Sequence, residues 1–385
     1  MTRWPKRRLG DLTDVLSGFA FDSEGFGDSG EIPVVRIRDV VPGRSSTFYR
    51  GAFDSRFIVD SGDILIGMDG EFNRARWCGG KALLNQRVSR IAPSSRDIDD
   101  GYLFYFLPAA LKAIEQVTPF VTVKHLSVKQ IRDIVVPLPP LPEQRRIAET
   151  LDKADALRAK RRAALAQLDT LTQSIFLDMF GNPATNSKGW PQVPIGDHAS
   201  KIGSGATPRG GEESYKAAGI TLIRSMNVRD GAFLRDGLAF IDDEQAAQLE
   251  GVVVEADDVL LNITGASVAR VCRAPADVLP ARVNQHVAII RPTATFNSHF
   301  LEQCLLSPSV KERLLKIARA GATREAITKS AIEQFRVIRP PRELQDQFAA
   351  RVVASEETYR QMRAALGEMD SFFASLQHRA FRGEL

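Results

Sequence analysis

The stretch LPPLPEQRRIAETLDKADALRAKRRAALAQLDTLTQSIFLDMFG, Leu138 to Gly181, sets the architecture. Pro137, Pro139, Pro140 and Pro142 hold an extended segment that continues neither strand nor helix, and Pro142 suits the first turn of a helix beyond it. From Ile147 a heptad-like ladder places Ile147, Ala154, Leu157, Ala164, Leu168, Leu171 and Ile175 on one stripe. Gly181, with Pro183 after it, reads as the left-handed cap that stops this helix. A weaker echo, RPPRELQDQFAARVVASEETYRQMRAALGEMDSFFASL from Arg339 to Leu376, gives the stripe Phe348, Ser355, Thr358, Ala365, Met369, Phe372 and Leu376. Its Met362 is apolar where Arg161 interrupts the first stripe. Two such helices bury each other's stripes as an antiparallel pair, because the domain between them must return the chain. A ladder of about 33 residues at 1.5 Å each is ~50 Å long, more than one small domain can cover.

The repeat extends beyond the helices. WPKRRLGDL, IPVVRIRDV, SGDILIGMDG and LLNQRVSRIAP in the first half are answered by WPQVPIGDH, ITLIRSMNV, EADDVLLNITG and RVNQHVAIIRP in the second. Matched positions are 186 residues apart at Trp4/Trp190, 199 at Asn85/Asn284 and 201 from Leu126/Ile327 onward, so the halves differ by insertions in their globular parts. Short β-branched and aromatic runs between Gly, Asp and Ser turns read as strands: Ile32 to Ile37, Asp63 to Ile66 and Arg87 to Ile91, then Ile220 to Ile223, Asp258 to Ile263 and His286 to Ile290. Tyr102 to Val117 and Phe300 to Ala320 read as helices. The expectation is a mixed α+β chain with two strand-rich globular domains, 1–140 and 183–339, each followed by a helical spacer, 141–182 and 340–385. The two long helices pack as an antiparallel coiled coil.

At 385 residues each domain is large enough for its own core. Fifty-one basic against 47 acidic residues leave a net charge of +4, which permits a nucleic-acid partner without establishing one. Cys78, Cys272 and Cys304 form no CxxC and no ligand-spaced set with the five histidines, which argues against a zinc site and a disulfide framework and fits a reducing cytoplasm. No apolar run reaches the ~18 residues that span a bilayer, and the basic N-terminus has no apolar segment behind it, so the expectation is a soluble chain that is not exported. A P-loop, a dinucleotide fingerprint and the HExxH and GxSxG patterns are absent, and neither half carries a catalytic set. Phe180-Gly181-Asn182-Pro183 differs from the Asn-Pro-Pro-aromatic loop of adenine methyltransferases in lacking the second proline and the aromatic, and it follows a helix.

The first long helix with its proline entry, its echo and the terminal FRGEL resemble the conserved regions of the specificity (S, HsdS) subunit of type I restriction-modification systems, and the resemblance covers essentially the whole chain. It implies two target recognition domains, each reading one half of a bipartite double-stranded DNA sequence in the major groove, with the helices as the spacer between half-sites. It further implies no cofactor in this chain, two methyltransferase (modification) subunits that carry S-adenosylmethionine, and restriction/translocase subunits where present. The second copy departs from the pattern where Leu141, Pro142 and Glu143 become Arg342, Glu343 and Leu344, which puts identical partner contacts by the two helices in doubt. A ~50 Å spacer corresponds to ~15 base pairs, so half-site centres are expected about one and a half helical turns apart or less.

Under that implication Arg, Lys, Asn and Gln near strand ends and Gly turns are the candidate DNA contacts. The turn Ser17-Gly18-Phe19 and its counterpart from Gly203 to Arg209, with Ser204, Thr207 and Arg209, offers backbone N–H groups to a phosphate or is an ordinary tight turn. Arg36 and Arg38 match Arg224, Asn227 and Arg229. Asn85-Gln86-Arg87 and Asn284-Gln285-His286 share an Asn-Gln that favours a structural role common to both halves. The loops that differ are the better place for base readout: Gly70 to Lys81, with Asn73, Arg74, Arg76 and Lys81, against Gly265 to Ala274, and Lys124 and His125 against Arg319 and Arg324. Trp77 reads as a buried aromatic beside Cys78, with stacking on DNA as the alternative. The function expected is a non-catalytic specificity subunit. A structural adaptor without DNA binding and a stand-alone DNA-modifying enzyme are the competing classes.

Overall fold

The computed structural model describes residues 4–118, 124–320 and 325–385, apart from the side chain of residue 169. It divides into two compact units, one made of 1–162 and 365–385 and the other of 163–364, so each unit takes a portion of both long helices. Those helices run Leu141–Phe180 and Arg342–Ala380. The first stops where Gly181 takes φ +75°.

In unit 1 a four-stranded antiparallel sheet orders Thr13–Ser17, Val88–Pro93, Ile64–Gly67 and Arg74–Arg76. Unit 2 repeats it with Ala199–Ser204, Val287–Pro292, Val259–Asn262 and Val271–Arg273. The second strand pairs inside each domain also match: Ile32–Val35 runs parallel to Ala82–Leu84, and Ile220–Ile223 parallel to Ala281–Val283. Lys6–Arg8 against Val135–Pro137, and Gln192–Pro194 against Arg336–Ile338, tie the start of each domain to the strand that leads into its long helix.

The strands Ile64–Gly67 and Val259–Asn262 carry consecutive apolar residues because both faces are covered. Ile64 and Ile66 enter a core with Tyr102, Leu103 and Leu107, while Leu65 between them joins Val35, Trp77 and Leu84. Val259 and Leu261 likewise pack with Phe300 and Leu301, and Leu260 with Leu222 and Val283. The helix Asp100–Val117 is capped by Asp99, whose carboxylate accepts from Tyr102 N–H. The helix expected from Phe300 to Ala320 is broken instead. Ser298–Leu306 ends at Ser307 in extended geometry, and Pro308 opens a second helix to Arg319, as the restriction on a residue before proline requires. The strand expected from Ile32 to Ile37 ends at Val35, because Asp39 caps a short helix from Ile37.

Within each unit the helical segments are antiparallel. In unit 1 Arg146 donates to the carbonyl of Leu385, and Arg158 Nε donates to Asp370 at 2.6 Å while its guanidinium lies 4.2 Å from the Phe373 ring centre. In unit 2 Phe176 and Phe180 lie 5.6 and 5.5 Å from Phe348. The seam corrects the expected stripe. Ile147 and Phe348 are fully buried, and Leu168, Leu171, Ile175, Met362, Met369 and Leu376 half-buried. Leu157 and Phe372, however, are 57% and 64% exposed. The second row of each seam runs four residues beyond the first, through Leu151, Arg158 and Leu165 in one helix and Val352, Tyr359, Leu366, Phe373 and Ala380 in the other. A step of three from Ala154 or Met369 selects Leu157 and Phe372, one position off the contact face.

Each domain is also fastened to a long helix by polar contacts. Tyr105 hydroxyl donates to Asp152 at 2.7 Å in unit 1. In unit 2 Arg273 reaches Glu302, Asp257 and Glu356 at 2.8, 3.1 and 3.0 Å.

Candidate nucleic-acid interface

At one end of the four-stranded sheet, three chain segments meet in the same backbone frame in both units. In unit 1 Met68 N–H donates to Arg87 O at 3.0 Å, Leu126 N–H to Met68 O at 2.7 Å, and Gly70 N–H to Lys124 O at 2.9 Å. In unit 2 Ile263 N–H donates to His286 O at 3.0 Å, Ile327 N–H to Ile263 O at 2.8 Å, and Gly265 N–H to Glu325 O at 3.3 Å. Gly70 and Gly265 both take positive φ there, +74° and +73°, which a side chain would oppose. Asn85 and Asn284 are buried behind the frame, where they support the turn into the strand: Val88 N–H donates to Asn85 O, and Asn284 Oδ1 accepts from His286 N–H.

The side chains on this frame differ. In unit 1 Asp69 accepts from His125 Nδ1 at 2.7 Å and pairs with Arg87 Nε at 3.3 Å, and about half of the Arg87 and His125 side chains faces solvent. In unit 2 a hydrogen-bonded relay runs from the Thr207 hydroxyl to Gln285 Oε1, from Gln285 Nε2 to His286 Nε2 at 3.1 Å, and from His286 Nδ1 to Thr264 Oγ1 at 2.5 Å. Arg229 and Arg270 flank this relay, together with Met226, in an open cleft of about 420 Å³.

The expected contact residues divide by exposure. Arg38, Asn73, Lys81, Ser204, Arg209 and Arg229 are exposed. Others are committed to the fold. Asn227 is fully buried: Oδ1 accepts from Arg224 N–H, and Nδ2 donates to the carbonyls of Leu234 and Asp236. It matches Asp39, which accepts from Arg36 N–H at 3.0 Å, so the pair forms a repeated turn and Asn227 is corrected from contact residue to cap. Arg224 is held by Glu212 and the Gly237 carbonyl beside Tyr215, and Arg36 donates to Thr47. The Arg74 guanidinium carbon lies 3.4 Å from the Phe104 ring centre, where burial pulls the group down to about 10. Arg76 pairs with Asp100 at 2.7 Å, and Lys124 donates to the Glu115 carbonyl. Arg324 lies outside the described residues.

Two further expectations change. The glycines of the first turn do not free their N–H groups for a phosphate, since Gly18 donates to Val88 O and Gly205 to Asn284 O. Both are glycine because a Cβ would fall 2.1 Å from Asn85 O and 1.8 Å from Val283 O. Trp77 is buried, with its indole N–H on the Gly80 carbonyl. The frame residues Asp69 and Thr264 were not expected as contacts, whereas Arg270 lies in the loop Gly265 to Ala274 and His286 in the Asn-Gln cluster that the sequence offers. The signal available was the Asn-Gln shared by both halves, which marks the backbone while the residue after it differs.

Among the described residues no group of three or more His, Cys, Asp or Glu side chains could hold a metal ion, and no helix is long and apolar enough to cross a membrane.

Comparison with known proteins places the chain. The family model described as type I restriction modification DNA specificity domain matches residues 1–167. The type I restriction enzyme EcoBI specificity subunit of Escherichia coli is 30% identical, over 99% of this chain and 86% of that protein. The MjaVIII specificity subunit of Methanocaldococcus jannaschii is 23% identical, over 67% of this chain and 63% of its own length. The fold is also similar to solved structures. The type I restriction-modification S subunit from M. genitalium gives a TM-score of 0.59 at 14% identity, over 99% of this chain and 96% of that one. A chain from a study of complex assembly and conformational transition of the type I R-M system gives 0.61 at 18%, over 99% and 98%. With its twofold sheet, its paired helices and a relative of this identity aligned along nearly its whole length, the chain belongs to the family of specificity subunits of type I restriction-modification enzymes.

Proposed function

We propose that the chain is the non-catalytic specificity subunit of a DNA methyltransferase/endonuclease complex, in which the domains 1–140 and 183–339 each read one half of a bipartite duplex target. The helical segments 141–182 and 340–385 then set the gap and dock two modification subunits, which bring S-adenosylmethionine, with restriction/translocase subunits where the system has them. The observation that carries this reading is the repeated frame at the sheet ends, where one backbone presents two different sets of hydrogen-bonding side chains. Two copies of one scaffold with unlike tips suit a split sequence with unlike halves. Exposed Arg38, Lys81, Arg209 and Arg229 suit phosphate contacts, which position a protein on duplex without specifying sequence.

The test is modified-base sequencing of DNA from a methylation-deficient host that expresses this chain with its methyltransferase subunit, against the methyltransferase alone. A new split motif with a fixed gap is the expected result. A soluble complex that leaves no new modification would move the reading to an adaptor without DNA specificity. Four residues inserted near Leu168 add roughly one turn, ~6 Å, and are expected to widen the gap by one or two base pairs with both half-sites unchanged.

A further inference from the structure

We propose that Asp69, Arg87 and His125 in unit 1, and Thr264 and His286 in unit 2, the latter oriented by Gln285, are the side chains that discriminate bases in the two half-sites. The inference rests on the DNA-reading function proposed above and assigns residues to it. Its basis is the contrast between what the duplication keeps and what it changes. The frame keeps its inter-segment hydrogen bonds, its positive-φ glycines Gly70 and Gly265, and its buried Asn85 and Asn284. It changes the neighbouring side chains that project from the same backbone positions: Asp69 to Thr264, Arg87 to His286, and His125 to Ala326. A scaffold role would not call for that exchange of a carboxylate–guanidinium pair for a hydroxyl–imidazole relay, whereas readout of two different base sequences does.

The chemistry of each set fits base edges. Asp69 engages Arg87 through Nε and so fixes the plane of the guanidinium, and Nη1 lies 3.4 Å from His125 Nδ1, so the remaining terminal N–H donors sit on a half-exposed side chain. A forked pair of donors matches the O6 and N7 acceptors that guanine shows in the major groove. In unit 2 the relay assigns each proton. Gln285 donates to His286 Nε2, His286 Nδ1 donates to Thr264 Oγ1, and the Thr264 hydroxyl is left to donate outward. That presents a single neutral donor beside the Thr264 methyl group, a ligand for one base acceptor rather than a fork. Both sets are hydrogen-bonded before any contact, so their geometry does not have to be organised on binding. The flanking Arg229 and Arg270 place positive charge at the rim of the unit 2 cleft, where a phosphate backbone would pass.

The experiment is modified-base sequencing of host DNA with the intact complex, comparing the wild-type chain with Arg87→Gln, Arg87→Lys and His286→Ala. Both Arg87 variants are expected to lower discrimination at one base pair of one half-site by about tenfold or more, with the other half-site unchanged. Arg87→Lys keeps the charge and loses the fork, so it separates base readout from phosphate attraction. His286→Ala is expected to relax one position of the opposite half-site only. The assignment is overturned by variants that modify the wild-type motif with unchanged base preference. It is equally overturned by variants that lose modification evenly at every position while the complex forms with an unchanged melting temperature. A wild-type complex with no split motif overturns the DNA-reading function itself, so the two failures are distinguishable.

Discussion

Gln144 and Gln345 do the same work at the entry to each long helix. Gln144 is fully buried; its amide donates to the carbonyls of Asp97 and Pro139 and accepts from Asp99 N–H, each at 2.8 Å. Gln345 donates to Pro340 and Thr295 carbonyls and accepts from Asn297 N–H. The departure of Arg342-Glu343-Leu344 from Leu141-Pro142-Glu143 therefore leaves this clamp intact. Gln144→Ala leaves buried polar groups without partners, and a loss of about 2–3 kcal/mol is expected in denaturant unfolding of unit 1. His299 gives unit 2 a pH dependence. Burial, and secondarily the nearby Arg273 cation, push its imidazole down to about 4, so the folded chain holds it neutral. Between about 6.5 and 4 the unfolded chain binds the proton that the folded chain refuses, so this contribution to stability is present above that window and is lost as pH falls through it. Melting curves from pH 8 to pH 4 are expected to show a shallower acid limb for His299→Gln than for the wild type. A parallel pair of curves would contradict this assignment.

The helices show where the sequence was legible and where it was not. Their existence, their proline entries and their seven-residue period could be read directly, as could the duplicated sheets. The choice between a step of three and a step of four could not. Leu157 and Leu171 offer apolar side chains at three, while the seam at four passes through Arg158 and Thr172, the first of them half-buried by an ion pair and an aromatic face rather than by its own hydrophobicity. Phe372 and Phe373 are adjacent and alike, so composition cannot rank them, yet Phe373 is 8% exposed. The two rows make opposite forecasts for mutation. Phe373→Ala or Leu151→Ala is expected to lower stability by about 2–5 kcal/mol, whereas Leu157→Gln is expected to change it by less than about 0.5 kcal/mol. Chemical denaturation of the three variants checks this. The candidate interface was less legible for a related reason. An arginine at a strand end looks the same whether it faces solvent, as Arg38 does, or meets a carboxylate from another loop, as Arg224 meets Glu212.

Over the whole molecule, the boundary between compact units does not follow the boundary between sequence repeats. Unit 1 needs Phe373 and Ala380 from the end of the chain to complete a core that begins at Leu9, and unit 2 needs Phe176 and Phe180 from the first repeat beside its own Phe348 and Val352. Residues 1–181 and 182–385 produced as separate polypeptides are therefore expected to be poorly folded singly and to co-purify in equal amounts when produced together. A 1–181 fragment that melts like the intact chain on its own would show that the shared helices are dispensable to its core. The strand Val135–Pro137 and the proline entry, by contrast, close the first globular domain before its long helix starts. A genetic crossover at the codons for Pro139 and Pro140 would thus import a foreign N-terminal domain while the recipient keeps both long helices whole. Inheritance can shuffle one tip of the molecule without disturbing the part that every descendant must share.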